Sequence, residues 1–150
     1  MTQLRDLPLV PAAVPETATF GDAADTLLAA ELPAIAIVDD ERRVVGLFSQ
    51  TDVLRAIFPG YLGELRHTSF LEDDEARLDA RARGVRDLPV RGFARDVAPL
   101  GADESETHAA ERFLHTGEDA LAVVEDGRFA GILSVRALCR ARLAEVEEGA

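Results

Sequence analysis

Sliding the chain against itself brings two stretches into register. Ala23, Ala24, Leu27 and Leu28 recur as Ala109, Ala110, Phe113 and Leu114 at an offset of about 86 residues. At the same offset Ala34-Ile35-Ala36-Ile37-Val38-Asp39 recurs as Ala120-Leu121-Ala122-Val123-Val124-Glu125. Past the next turn the offset falls to about 85, where Gly46-Leu47-Phe48-Ser49 recurs as Gly131-Ile132-Leu133-Ser134. The step falls where a hairpin would lose one residue: Arg42-Arg43 fills the first turn and Asp126-Gly127 the second, a pair that tolerates positive φ. Neither copy, at fewer than about 70 residues, buries enough apolar surface alone. The two are therefore expected to pack face to face about a pseudo-twofold axis.

Each copy reads as an extended arm followed by helix, strand, hairpin, strand and helix. The arms are Val10 to Val14 and Val97 to Leu100, held extended by Pro11 and Pro99. Phe20, Ala23, Ala24, Leu27 and Leu28 fall on one helical face, with Thr19 and Asp22 spaced as a capping box. The apolar runs 34–38 and 44–48 have the length and Val/Ile content of buried strands. After Ser49, the residues Val53, Leu54, Ile57 and Phe58 mark a second helical face. The fold class expected is α+β, with two β-α-β-β-α repeats. Residues 1–58 would form the first repeat, 59–84 an inter-repeat linker with helix of its own, and 85–150 the second repeat. Tyr61, Leu62, Leu65 and Phe70 in the linker would cap the core or meet a second chain.

This order of arm, helix, acidic-ended strand, hairpin and Gly-apolar-apolar-Ser-x-x-Asp resembles a tandem pair of cystathionine-beta-synthase (CBS) domains, also called a Bateman module. The motif stands as Gly46-Leu47-Phe48-Ser49-Gln50-Thr51-Asp52 in the first copy and Gly131-Ile132-Leu133-Ser134-Val135-Arg136-Ala137 in the second. Leu4-Arg5-Asp6-Leu7 and Val85-Arg86-Asp87-Leu88 are similar to the family's usual opening. Two departures stand out: Ala36 and Ala122 replace a common Pro, and Ala137 replaces the motif's Asp.

The resemblance implies a non-catalytic regulatory module that holds an adenosine group (AMP, ADP, ATP or a relative) between the repeats and modulates a protein partner. Asp52 would accept from both ribose hydroxyls, and Ser49 would open a helix whose free N–H groups favour a phosphate. The adenine edge would be read by the backbone of Ala98, Asp119 and Ala120 opposite Asp52, and of Ala12, Pro33 and Ala34 opposite Ser134. The carboxylate of Asp119 would weaken or retune its pocket. Arg136, matched by Thr51 in the first copy, occupies a place where the family often has a phosphate-contacting Arg. One nucleotide per chain is expected, its ribose on Asp52 and its phosphate reaching towards Arg136. The resemblance also implies a homodimer associating through helices.

Ser49-x-x-Asp52 is equally a capping box that needs no ligand. On that reading the module is a ligand-free scaffold for dimerisation or partner docking, and Ser134-x-x-Ala137 manages without the Asp.

Other functions find little support. The net charge of −12 repels nucleic-acid backbones, and all basic residues are Arg, so any cation beside a phosphate would be a guanidinium. Three scattered histidines and a lone Cys139, expected to be buried on the last helix, make no metal or nucleophile pattern. The start lacks a basic segment and is broken by Pro8, Pro11 and Pro15, and no apolar run reaches the roughly 18 residues of a membrane span. The expected setting is cytoplasmic, with no metal, nucleic acid, membrane or required cofactor.

Overall fold

A computed structural model of the chain describes residues 2–58 and 75–148. The first repeat runs β1 (Ala13–Pro15), α1 (Phe20–Ala30), β2 (Ala34–Val38), β3 (Val44–Ser49) and α2 (Gln50–Ile57). After α3 (Glu75–Val85), the second runs β4 (Leu100–Gly101), α4 (Glu106–Thr116), β5 (Ala120–Glu125), β6 (Arg128–Ser134) and α5 (Val135–Glu148). Each repeat is β-α-β-β-α, as the duplication implies. The sheets are ordered β1-β2-β3 and β4-β5-β6, each with a parallel first pair and an antiparallel second.

The strands form where the apolar runs lie, and β2 is buried along its whole length. It packs against β5 and β6 of the other repeat, so one core serves both sheets. The hairpins differ as their residues dictate. Asp39 Oδ1 accepts from the N–H groups of Glu41 (2.9 Å) and Arg43 (2.8 Å) in the first turn, where Arg42 takes a left-handed φ of 64°. Asp126 and Gly127 have φ of 53° and 79°, the pair of positive values a two-residue turn requires.

The pseudo-twofold axis is written in matched hydrogen bonds. Val10 and Ile132 exchange both backbone bonds (3.0 and 2.7 Å), and Leu47 and Arg95 do the same (2.8 and 2.9 Å). Each arm thus crosses the last strand of the opposite repeat, immediately over the motif glycine. A Cβ on Gly131 would lie 2.6 Å from Leu9 Cβ, and one on Gly46 would lie 3.1 Å from Ala94 Cβ. The close passage of the opposite arm accounts for a glycine at 131, where a Cβ would clash, and leaves little room for a side chain at Gly46.

Some expectations are corrected. By hydrogen bonding, Leu4 is matched by Val90 in the second repeat: Leu4 N–H donates to Glu104 O and Val90 N–H to Ala18 O, both at 3.0 Å. Leu4–Asp6 and Val90–Gly92 each form a 3-10 turn there, and Val85 instead ends α3. Leu28, Leu54 and Phe58 are exposed, because the buried sides of α1 and α2 run through Phe20, Ala23, Ala24 and Leu27 and through Asp52 and Ala56. Cys139 is exposed as well, since α5 turns Leu138 to the core and its neighbour about 100° away. The Thr19 hydroxyl caps α1 by accepting from Asp22 N–H at 3.1 Å, half of the box expected there. The linker contains α3, and Tyr61, Leu62, Leu65 and Phe70 lie outside the described residues.

Candidate functional site

Because β3 ends at Ser49 and α2 begins at Gln50, the motif sits at a strand-to-helix corner facing the other repeat. Ser49 Oγ accepts from Asp52 N–H (3.2 Å), and Asp52 Oδ2 accepts from Ser49 N–H (2.9 Å) and Oγ–H (2.8 Å). The capping box is complete. Asp52 is buried, with its side chain 3% exposed.

Its remaining acceptor capacity is also engaged. Arg95, just before the arm of the second repeat, donates its Nε–H to Asp52 Oδ1 (3.0 Å) and Oδ2 (3.1 Å). The far side of the same guanidinium pairs with Glu118, Nη1 on Oε1 and Nη2 on Oε2 (3.1 Å), and Nη2 also donates to Ser49 Oγ (3.3 Å). Arg55 Nη1 adds a bond to Asp52 Oδ1 (3.2 Å). Two carboxylates thus grip one guanidinium and, against the opposing effect of burial, hold its pKa above the usual Arg value, chiefly through Glu118 and then Asp52.

Around this cluster a cleft of about 280 Å³ is bounded by both repeats: Pro33, Ala34, Ser49, Gln50 and Thr51 on one side, Thr116 to Ala120 on the other, with Arg55 and Arg95 between. Six of the residues singled out by sequence meet there: Pro33, Ala34, Ser49, Thr51, Asp119 and Ala120. Asp52 lies behind them and lines a separate, more apolar hollow of about 560 Å³ with Leu88, Phe93 and Ala94. Ser134 and Arg136 line a third hollow of about 370 Å³, which shares Pro33, Gln50 and Asp119 with the first cleft. Ser134 Oγ accepts from Ala137 N–H at 3.0 Å. Ala12 is buried with its carbonyl accepting from Ala36 N–H (3.3 Å), Ala98 O accepts from Arg112, and neither residue lines these hollows.

Sequence reasoning missed Arg95 and Glu118. The duplication carries the signal that exposes them. Arg95 stands where the first repeat has Val10, by the matched bonds to Leu47 and Ile132, and Glu118 stands 86 residues after Leu32. A charged Asp52, Arg95 and Glu118 on one side of the axis therefore face an apolar Ala137, Val10 and Leu32 at the equivalent positions on the other.

Among the described residues no three His, Cys, Asp or Glu side chains converge as metal ligands, and no helix is long and apolar enough to cross a membrane.

An α+β pair of repeats with a cleft at their contact is the architecture these observations define. The family model of the CBS domain matches residues 4–59 and 85–144, so the chain belongs to the CBS domain family as a tandem pair. Among solved structures, it is similar to the CBS domain protein PAE2072 from Pyrobaculum aerophilum, complexed with AMP, at 25% identity and a TM-score of 0.71, covering 98% of this chain and 99% of that one. CBSX2 in complex with AMP aligns at 22% identity and a TM-score of 0.69, over 96% and 98% of the two chains. The CBS domain of a CBS domain containing membrane protein from Sphaerobacter thermophilus aligns at 23% and 0.70, over 93% and 87%. No curated protein matches the chain.

Proposed function

We propose that the chain is a non-catalytic regulatory module that binds one adenine nucleotide between its repeats and modulates a protein partner. The observation that carries this is the cleft itself: both repeats contribute to it, and a capped helix N-terminus opens onto it. The AMP complex of PAE2072, which shares the fold over nearly its whole length, supports the same class of ligand. Asp52 takes the ribose diol, Ser49 and Thr51 lie towards the phosphate, and Arg136 is the more distant cation on the phosphate side. Ala98, Asp119 and Ala120, and across the axis Ala12, Pro33, Ala34 and Ser134, are the further positions assigned to ligand contact.

AMP, ADP or ATP at about 100 times its dissociation constant is expected to stabilise the protein by about 2.7 kcal/mol, a rise of roughly 5–10 °C in a thermal melt. No shift with any adenine nucleotide would favour the second reading, a ligand-free interaction scaffold. One observation supports that alternative: every oxygen of Asp52 is already engaged by the protein.

The module acts as a cytoplasmic homodimer on this proposal. Leu28, Leu54, Leu114 and Leu143 stand exposed on four helices, with Leu114 at 87%; such side chains are the material of an apolar contact. Light scattering on a sizing column is expected to give twice the 16.2 kDa chain mass, and a monomer at micromolar concentration would remove this part of the proposal.

A further inference from the structure

Arg95 does more than neutralise a buried carboxylate: it stands on the boundary of two hollows. The polar cleft of about 280 Å³ and the apolar hollow of about 560 Å³ are both lined by Arg55 and Arg95. A ligand-sized site is typically about 300–1,000 Å³, apolar with a few polar groups. Neither hollow alone combines the room and the chemistry for a base, a sugar and a phosphate. Together they would, and the Arg95 guanidinium on Asp52 lies between them.

Resting on the nucleotide reading above, we propose that Arg95 is an exchangeable counter-ion: it holds the ribose acceptor, and it surrenders Asp52 only when a ligand offers a phosphate in return. The geometry permits the exchange. The pivot is fixed, since the Arg95 backbone is bonded both ways to Leu47 (2.8 and 2.9 Å), while its side chain is 33% exposed and long enough to swing once its bonds to Asp52 are exchanged. When it leaves, Asp52 keeps the Ser49 N–H and Oγ–H and the Arg55 guanidinium, so the carboxylate remains compensated while accepting from a diol. A phosphate then provides the two parallel acceptors a guanidinium prefers. Adenosine offers the diol but no anion, and would leave Arg95 with Glu118 alone.

The consequence is a selectivity for phosphorylated ligands that resides in one side chain. Across the axis Val10 and Ala137 make no such exchange, so the effect belongs to the first site only.

Titration calorimetry with AMP and with adenosine, on the full chain, tests this. Wild type is expected to bind AMP about tenfold or more tightly than adenosine, one charge-assisted contact's worth of discrimination. In Arg95→Ala the ratio is expected to fall to about threefold or less, adenosine gaining and AMP losing. Should that variant fold poorly, Glu118→Gln keeps Asp52 and Arg95 but removes the one carboxylate left to Arg95 once adenosine takes Asp52, and it is expected to lower adenosine affinity about threefold more than AMP affinity. In parallel, the Arg95 Nε–H resonance in a ¹⁵N spectrum is expected to move on adding AMP to wild type. AMP binding with that resonance unmoved, or an unchanged ratio in Arg95→Ala, overturns the exchange and leaves the nucleotide reading standing. Binding by Arg95→Ala alone makes Arg95 a permanent plug and also overturns it. No binding of either compound by any of the three proteins removes both.

Discussion

Phe20→Ala is expected to cost about 3–5 kcal/mol of unfolding free energy, the largest loss of any single side chain considered, and to lower the melting temperature by roughly 10 °C. Phe20 is the first residue of α1 and almost wholly buried. Its ring meets Phe48 of β3 edge-on at 5.5 Å and Phe93, from the segment leading into the second repeat, at 4.9 Å. The Phe20 N–H also donates to Leu88 O at 2.7 Å. One ring thus joins the first helix, the first sheet and the start of the second repeat, and truncation would leave a void that three elements have to close together. Because the backbone around it is pinned, collapse is limited and the cavity term should persist. Guanidinium unfolding followed by far-UV circular dichroism checks the figure; a loss below about 1.5 kcal/mol would mean that the two repeats are held together elsewhere.

How much of this was legible in the sequence depends on what each residue answers to. The strands at 34–38 and 44–49 and the helices after them follow from local pattern, because a fully buried strand must be apolar throughout and a corner helix must be capped. The Asp126-Gly127 hairpin likewise has a local cause. Leu28, Leu54 and Phe58 were misplaced because periodicity marks an apolar stripe without saying whether the chain itself covers it. Val85-Arg86-Asp87-Leu88 matches the first opening in composition, while the hydrogen bonds to Ala18 and Glu104 that make Val90 the structural counterpart of Leu4 are long-range and leave no local mark.

The site was legible in part for the same reason. Ser49, Thr51, Pro33, Ala34, Asp119 and Ala120 converge because the pseudo-twofold axis carries them there, and the axis is implied by the duplication. What the motif could not convey is the state of Asp52. A motif gives a carboxylate its address; its partner comes from the other repeat, 43 residues away. Yet the comparison of copies holds the clue, since three positions change from apolar to charged together, and they do so on one side of the axis.

That triad carries the second large expectation. Asp52→Ala should abolish nucleotide binding and cost about 2–3 kcal/mol, of which about 1 kcal/mol is the lost bonding to the Ser49 N–H and hydroxyl and the rest the guanidinium left with one carboxylate. The triple replacement Asp52→Ala, Arg95→Val, Glu118→Leu installs on the first side the residues the second side already uses at Ala137, Val10 and Leu32. It should recover the stability to within about 1 kcal/mol of wild type or exceed it, since exchanging a buried ionic cluster for packed apolar groups is often neutral or favourable, whereas removing one member is not. Nucleotide binding should stay lost. If the losses simply add, so that the triple variant is weaker than Asp52→Ala, the charged cluster is a structural requirement of the first repeat and the scaffold reading gains. If stability returns while binding does not, the fold has no need of these charges, and what keeps an Asp, an Arg and a Glu together at one of two equivalent places is the ligand that one place receives.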